Sequence, residues 1–255
     1  MRRFFLPDLN CVVGDKVALP ADLQRHLHTV LRLPEGEEVL LFDGCGQSAR
    51  ARLQHDSSAE ILEISHAATP RISLSLIQGV TKGEKLELVL QKGTELGVAQ
   101  FILTQMERSV GRIKDERQEK RLQRWQKIVQ EAARQCRQPW LPQLEICSSL
   151  TSALSVGEAE VKLMLWEESA QPLVALLPDH APKSISVIVG PEGGISAREA
   201  GIARAAGYQA VRLGPRILRT ETAGLAIMSI LQYLYGDLTD FHTDDNATCE
   251  GKDKS

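Results

Sequence analysis

Three short segments combine glycines, charged groups and strand ends in ways that could do chemistry. The first, Val187-Ile188-Val189-Gly190-Pro191-Glu192-Gly193-Gly194-Ile195-Ser196, runs from an apolar strand through a glycine-dense turn into a capped helix. Glycines there would let a ligand approach backbone N–H groups, and the helix N-terminus would add a partial positive charge. A tight strand-to-helix connection with no ligand has the same appearance. The second, Arg212-Leu213-Gly214-Pro215-Arg216-Ile217-Leu218-Arg219-Thr220-Glu221-Thr222, also leaves a strand and enters a helix. Its three arginines suit an anion or a base, Thr220 or Thr222 can cap the helix, and Gly214-Pro215 forces a turn. A solvated, charged loop is the plainer reading of the same residues. The third is Met164-Leu165-Trp166-Glu167-Glu168-Ser169, again at a strand end. In open parallel sheets ligands settle beyond the carboxyl ends of strands, so three such loops together predict one composite pocket.

Other chemistries lack their residues. No G-x-G-x-x-G spacing and no Gly-Lys-Ser/Thr occurs, which removes the dinucleotide and P-loop readings. The six histidines show no metal-ligand spacing, with His26 and His28 read as surface residues, and no Ser-His-Asp or Cys-His arrangement stands out. The five cysteines are odd in number and never spaced Cys-x-x-Cys, so neither a disulfide framework nor a zinc site is indicated.

The elements that must position these loops follow from the patterning. At 255 residues, with 43% hydrophobic and 25% charged residues, the chain is globular in composition and long enough for two domains. No apolar run approaches the ~20 residues of a membrane helix. The start, Met1-Arg2-Arg3-Phe4-Phe5-Leu6-Pro7-Asp8, meets Pro and Asp before a signal-peptide core could form, and a cytoplasmic location is expected. Up to Ala68 short strands predominate: Val17 to Leu19, Glu38 to Phe42 and Ala49 to Leu53, with turn formers Asp43-Gly44-Cys45-Gly46, as in a hairpin or small barrel. A helix is expected from Pro20-Ala21-Asp22, with Leu23, Leu27, Val30 and Leu31 at helical spacing. Ala67-Ala68-Thr69-Pro70 reads as a linker. Beyond it strands (Ile72 to Ile77, Phe101 to Thr104, Leu144 to Cys147, Val161 to Trp166, Ile185 to Val189, Ala210 to Leu213) alternate with helices (Glu84 to Leu96, Glu116 to Gln135, Ser196 to Ala206, Glu221 to Leu234). That alternation predicts an α/β domain with a mostly parallel sheet.

Charge is unevenly spread. The formal net charge is −3, yet Glu107 to Arg137 carries ten Arg or Lys against five Asp or Glu. From Asp237 onward six acids face two lysines, and this polar tail is expected to be unstructured. Local field, not net charge, attracts a polyanion, so a nucleic-acid partner stays open. On the helix after Glu116, Lys120, Arg124, Lys127 and Arg134 form a face that could meet phosphates, although a solvated helix face is the commoner use of such a pattern. The helix after Ala223 is apolar on nearly every face, which predicts burial in a core or against a second subunit.

Taken in order, Gln91-Lys92-Gly93-Thr94-Glu95-Leu96-Gly97, Arg124-Trp125-Gln126-Lys127-Ile128, Glu131-Ala132-Ala133-Arg134-Gln135-Cys136, Gly190-Pro191-Glu192-Gly193-Gly194 and Leu213 through Ala223 resemble the RsmE family. These are methyltransferases of the SPOUT class that make 3-methyluridine in 16S ribosomal RNA. The resemblance spans roughly Arg2 to Tyr235 and implies an N-terminal PUA-like β-barrel over residues 1–68. It also implies a SPOUT α/β domain over residues 72–236 with a C-terminal trefoil knot, a homodimer, and S-adenosylmethionine as cofactor. The tail, residues 237–255, lies outside it. By the same resemblance the cofactor would lie against Leu165, Trp166, Glu167, Gly190, Pro191, Glu192, Gly193, Gly194, Leu213, Gly214, Ile217, Leu218, Arg219, Thr220 and Ala223. RNA contacts are expected from Arg2, Arg3, Lys92, Arg108, Arg124, Lys127 and Arg134, with 16S rRNA, within the small ribosomal subunit, as partner.

Methylating uridine N3 requires its proton to leave while charge spreads onto O2 and O4, so the site must hold the methyl donor in line and stabilise that charge. Arg219 is the expected charge stabiliser, with Glu192 or Glu221 handling the proton or orienting the arginine. No metal is called for, since a sulfonium methyl is already electrophilic. Two other readings remain: a different SPOUT-type methylation, of a ribose 2′-oxygen or a guanine, and a non-catalytic RNA-binding assembly factor.

Overall fold

The computed structural model describes residues 1–110, 115–168 and 171–240. The expected tail beyond Asp240 and Ser169 of the third loop lie outside these residues. Two sheets organise the chain. The first contains β1 (Arg2–Phe5), β2 (Lys16–Ala18), β3 (Glu38–Phe42), β4 (Gln47–Leu53) and β5 (Ser58–His66), in the order β1-β3-β4-β5-β2. All neighbours are antiparallel except β1, which runs parallel to β3. The inward-facing residues Phe4, Val39, Leu41, Ala49, Ala51, Ala59 and Ile61 form their own core. The expected helix is present but short: α1 (Ala21–Arg25) passes into a π turn over His26–Val30. The wider turn buries Leu27 and turns Val30 outward, 62% exposed.

The second sheet is parallel throughout. It holds β6 (Ser73–Gly79), β7 (Gln100–Thr104), β8 (Gln143–Cys147), β9 (Val161–Leu165), β10 (Ser184–Val189) and β11 (Gln209–Val211), in the order β11-β9-β10-β6-β7-β8. Along each strand alternate residues go to opposite faces, and each face is covered. Leu74, Leu76, Phe101, Leu103, Val187 and Val189 pack with α2 (Lys85–Glu95), α3 (Asp115–Cys136) and α6 (Thr220–Tyr235). Ile77, Ile102, Met164 and Ile188 pack with α4 (Leu150–Val156) and α5 (Ala197–Ala205). Continuous apolar strands are what burial on both faces demands.

The sequence of α6 calls for cover all round, but within one chain only one face has it. Gly224, Ile227, Met228, Leu231 and Gln232 are buried, whereas Ile230, Tyr233 and Leu234 are 37%, 64% and 49% exposed.

The two sheets meet through the segment after α3. Gly46 N–H donates to Pro139 O (3.2 Å), Leu141 N–H to Gly44 O (2.8 Å), and Trp140 Nε1 to Ala68 O (3.1 Å). Gly46 has φ +95°, and a Cβ there would collide with the Trp140 ring, so the junction needs glycine twice over. The expected linker is thus tied down at Ala68. The start of the acidic tail is also held, by an ion pair between Asp240 and Arg71 at 3.0 Å.

Candidate functional site

Strand order explains why the three loops meet. Because β9 lies between β11 and β10, the segments leaving their carboxyl ends, at Trp166, Gly190 and Arg212, are neighbours. The chain also changes direction across the sheet beside β6, placing these loops at the switch point where α/β sheets bind ligands. A cleft of about 340 Å³ opens there, continuing into a recess of about 80 Å³ that shares Leu165, Glu167, Ile217, Leu218 and Ala223. Three larger clefts exist, of about 820, 810 and 480 Å³, but none touches the carboxyl end of a strand of the parallel sheet or the glycine turn. Chemistry, not size, singles out the smaller one.

The glycine turn forms the floor. A Cβ on Gly193 would sit 2.7 Å from Arg108 Cβ, and one on Gly194, where φ is +76°, would sit 2.9 Å from a Glu167 oxygen. The turn leads into α5 through a capping box: Ser196 Oγ accepts from Glu199 N–H (3.1 Å), and the Glu199 carboxylate accepts from Ser196 N–H (3.0 Å). The second Glu199 oxygen accepts from Glu107 N–H at 2.8 Å, binding the loop after β7 to the same helix. From that loop Arg108 reaches back and donates to Gly193 O at 3.2 Å.

A buried carboxamide holds the turn from below. Gln78, fully buried on β6, donates from Nε2 to Gly79 O (3.0 Å) and Thr220 Oγ1 (2.9 Å), with Gly190 O at 3.4 Å. Thr220 Oγ1 in turn donates to Gly190 O at 2.6 Å. The helix-capping role anticipated for Thr220 or Thr222 is therefore not taken up. Arg219 is the N-cap of α6 and caps nothing with its side chain, while Thr220, one residue inside, donates instead to the Gly190 carbonyl, whose other donor is the Gln78 amide at the longer 3.4 Å. Gln78 Oε1 has no partner.

Most of the expected cofactor residues converge here. Gly190, Pro191, Glu192, Gly193, Gly194, Arg219 and Thr220 line the larger part, Trp166 and Leu213 the recess, and Leu165, Glu167, Ile217, Leu218 and Ala223 both. Gly214 lines neither; with φ +69° and open space around it, it shapes the turn. Lys85 in the cleft and Val211 in the recess lie outside the three segments singled out from sequence, while Val189, Ile195, Arg212 and Arg216 belong to those segments but not to the expected cofactor contacts. Gln78 was missed too, although a lone amide in the apolar run Leu74-Ser75-Leu76-Ile77-Gln78 was a usable signal.

The three catalytic candidates differ in placement. Arg219 is exposed at the cleft and makes no ion pair or side-chain hydrogen bond among the described residues. Glu192 accepts from Lys82 N–H (3.2 Å) and pairs with Lys85 (3.3 Å). Burial pushes its carboxyl up, but its own N–H, that of Lys82 and the Lys85 ammonium outweigh this and hold its pKa below the usual carboxylate value. Glu192 is thus a fixed anion. Glu221 lies in the first turn of α6 outside the cleft lining, with Oε2 buried and unpartnered.

The expected RNA-contacting residues do not gather into one patch. Arg108 is at the glycine turn, whereas Lys92, Arg124 and Lys127 line the cleft between α2 and α3. Three of the cations are matched by local acids: Lys92 with Glu95 (2.8 Å), Arg124 with Glu87 (2.8 Å) and Arg134 with Glu131 (2.6 Å). Lys127 has no such partner among the described residues. On the first sheet Arg2 is exposed and Arg3 stacks over Phe42 at 4.5 Å. No helix among the described residues is long and apolar enough to cross a membrane.

Comparison with known proteins agrees with this geometry. Residues 68–232 match the family model for the RNA methyltransferase domain. The ribosomal RNA small subunit methyltransferase E of Bacillus subtilis (strain 168) is 34% identical over 224 residues, covering 82% of this chain and 86% of that protein. Its namesake from Mycobacterium tuberculosis is 32% identical over 238 residues, covering 90% and 89%. The crystal structure of the Neisseria gonorrhoeae ribosomal RNA small subunit methyltransferase E, bound to S-adenosyl methionine, superposes with a TM-score of 0.83 at 38% identity, covering 94% of this chain and all of that one. A Legionella pneumophila methyltransferase structure in complex with the cofactor SAM gives 0.83 at 30% identity, covering 92% and 98%.

Proposed function

Since the chain belongs to the RNA methyltransferase family, and within it to the ribosomal RNA small subunit methyltransferase E group, we propose that it methylates N3 of a uridine in 16S ribosomal RNA from S-adenosylmethionine. The observation that carries this reading is the glycine-floored cleft formed by three neighbouring strand ends, with the unpartnered Arg219 at its edge.

The residues present fit the cofactor. A Cβ at Gly193 or Gly194 would collide with Arg108 or Glu167, so the turn is kept as bare backbone beside the cleft, and about 340 Å³ falls within the ~300–1,000 Å³ of small-molecule sites. Leu165, Leu218 and Ala223 supply apolar walls, the Gly190–Gly194 backbone supplies polar edges, and Glu167 supplies an acceptor. Bound S-adenosylmethionine provides an electrophilic sulfonium methyl. The chain's own task is to hold the uracil ring and stabilise the charge that develops as N3 loses its proton. Arg219 does this by donating from its guanidinium to O2 or O4, and donors to developing negative charge typically contribute ~10²–10³ in rate. Glu192, held ionised by Lys85 at the cleft, is the carboxylate placed to orient Arg219 or take the proton, whereas Glu221 stands outside the lining.

The same reading divides the chain into a PUA-like RNA-holding barrel, residues 1–68, and a SPOUT domain, residues 72–236. The separate core of the first sheet supports that division. It ends the second domain in a trefoil knot, a reading favoured by the bond from Thr220 at the start of α6 back to Gly190. It pairs two copies through α6, where exposed Ile230, Tyr233 and Leu234 await cover. The protein acts on the small ribosomal subunit in the cytoplasm.

The test is incubation with labelled S-adenosylmethionine and either small subunits or bare 16S RNA, followed by nucleoside mass spectrometry. Label in 3-methyluridine is expected. Label in a 2′-O-methylated nucleoside or a methylguanosine would overturn the assigned product, and no label despite cofactor binding would overturn the substrate.

A further inference from the structure

The cleft of about 820 Å³ lies at the opposite end of the parallel strands from the cofactor cleft. It is bounded by the amino ends of β6, β7 and β8, one face of α3, the segment after α3, and the Asp43–Cys45 turn of the first sheet. β6 spans seven residues, so the two clefts are ~20 Å apart along the strands. Its lining is chemically specialised. Gln126, Gln130, Gln138 and Gln143 all face it, and none of these four carboxamides makes a side-chain hydrogen bond among the described residues. Gln126 and Gln130 are one turn apart on the same face of α3. Apolar Val98, Val129 and Leu144 provide flat wall.

Two acids complete the lining and no Lys or Arg does. Asp43 is occupied, its Oδ1 accepting from Cys45 N–H (2.7 Å) and Gln47 N–H (3.0 Å). Glu145 is held on one oxygen by Gln100 Nε2 (3.1 Å), itself fixed by Ser75 (3.0 Å), and has no cation partner among the described residues. An anion would be repelled here, whereas a flat, neutral ring with N–H donors and a ring acceptor would find amides and a carboxylate to match. Carboxamides pair bidentately with adenine and carboxylates accept from the cytosine amine, while single-stranded bases stack on aromatic rings. Trp140 lines the cleft, its benzo edge pinned against Gly46. Outside, Arg3 reaches the Gln138 carbonyl at 3.5 Å and Arg137 is exposed, placing positive charge where a sugar–phosphate backbone would leave the cleft.

We propose that this cleft is a second nucleobase site, which takes an unpaired, amino-bearing base (adenine or cytosine) of the RNA whose uridine is methylated elsewhere. The proposal rests on the RNA substrate of the preceding section and adds a determinant of which RNA is chosen. A uracil, whose single N3–H lies between two carbonyls, would bring a carbonyl oxygen against the Glu145 carboxylate whenever that N–H is donated to it, and would bind less well.

The experiment measures binding of short single-stranded RNAs, oligo(A), oligo(C) and oligo(U), to the full chain by tryptophan fluorescence. Trp125 and Trp166 are 6% and 8% exposed, so Trp140 is the indole that reports. Oligo(A) and oligo(C) quench emission and bind roughly tenfold more tightly than oligo(U), the discrimination one bidentate amide–base pair supplies. Gln126→Ala/Gln130→Ala abolishes that preference at unchanged oligo(U) affinity, whereas Glu145→Gln abolishes it by raising oligo(U) affinity, and both leave S-adenosylmethionine affinity and the melting temperature unchanged. Trp140→Phe removes the quenching but keeps the preference, read by anisotropy of labelled RNA. Equal affinity for all three RNAs, or a preference that survives the glutamine and Glu145 variants, overturns the proposal. Competition by spermidine with no base preference would instead make this a polyamine site. Label transfer to 16S RNA by the same preparations separates the two claims: transfer without base preference sinks only this site, and base preference without transfer sinks only the methylation.

Discussion

Replacing Gln78 by Leu should leave the fold nearly as stable as before while weakening the cofactor. The Gln78 amide donates well to two acceptors, Gly79 O at 3.0 Å and Thr220 Oγ1 at 2.9 Å, each worth ~1 kcal/mol net. Its Oε1 is buried without a partner, and an orphan of that kind costs ~1–3 kcal/mol. Leucine has nearly the same volume and removes both the bonds and the orphan, so the two effects offset to within ~1 kcal/mol. Thr220→Val is different. It strips Gly190 O of its 2.6 Å donor and leaves the Gln78 amide facing a methyl, so ~2–3 kcal/mol of stability is lost. Thr220→Val breaks the direct bond from the first turn of α6 to the glycine turn, and Gln78→Leu removes the amide that steadies that bond from below. A loss of ~1.4 kcal/mol of preorganisation raises the Kd for S-adenosylmethionine about tenfold. Urea denaturation gives the stabilities and titration calorimetry the affinities. A loss of ~2 kcal/mol or more in Gln78→Leu would show that the orphan oxygen carries no penalty. Unchanged cofactor affinity in both variants would refute the clamp itself.

Arg219→Ala should slow single-turnover methyl transfer by ~10²–10³ at unchanged cofactor affinity; a wild-type rate would remove Arg219 from the chemistry. Because Glu192 has its pKa lowered in the folded state, its carboxylate adds stability above the ordinary carboxylate value of 4.5, and that stability is lost as pH falls through the lower folded value. Glu192→Gln should therefore be less stable than wild type at neutral pH, with the difference closing below about pH 4.5 in paired denaturation curves; a gap that persists at lower pH would contradict the assignment. On α3, Lys127→Ala should reduce the slope of log affinity for RNA against log salt by ~0.7–0.9, and Arg124→Ala by less, since Glu87 already holds Arg124 at 2.8 Å. The reverse order, measured by filter binding, would mean that the ion pair opens on binding.

Legibility followed the range of the interactions. All six parallel strands were readable, since burial on both faces writes a continuous apolar run within the strand itself. So were α2, α3, α5 and α6, to within a residue or two at each end. β1 was not readable: Arg2-Arg3-Phe4-Phe5 becomes a strand only by pairing with β3, more than thirty residues on. β5 was also overlooked, although Ala59 and Ile61 are buried at alternate positions. Its register against β4 shifts between Arg50 and Ala51, and the extra residue, Leu62, breaks the alternation before Ile64. α4 is seven residues long and begins with Ser149 and Ser152 in a mutual capping box, where the usual signal has Glu or Gln at the later position. At the site, the loops could be read because glycine and arginine stand out locally. The residues that hold them were overlooked: Gln78 left only a lone amide in an apolar run as its signal, and Glu199, legible as the later member of a capping box with Ser196, gave no local sign of its bond to Glu107.

The bond between Gln78 and Thr220 joins positions 142 residues apart, and this fixes when the cofactor cleft can exist. While the chain is being synthesised, the first sheet can close on contacts within residues 2–66, and β6, β7 and β8 can pair in the order in which they emerge. β10 must then enter between β9 and β6, and the cleft still lacks a wall until α6 has been made and brought back against β6. Contacts of such separation form late and slowly. Affinity for S-adenosylmethionine is thus acquired last, so a nascent or truncated chain that has RNA-facing surface but no α6 would be unable to engage the methyl donor.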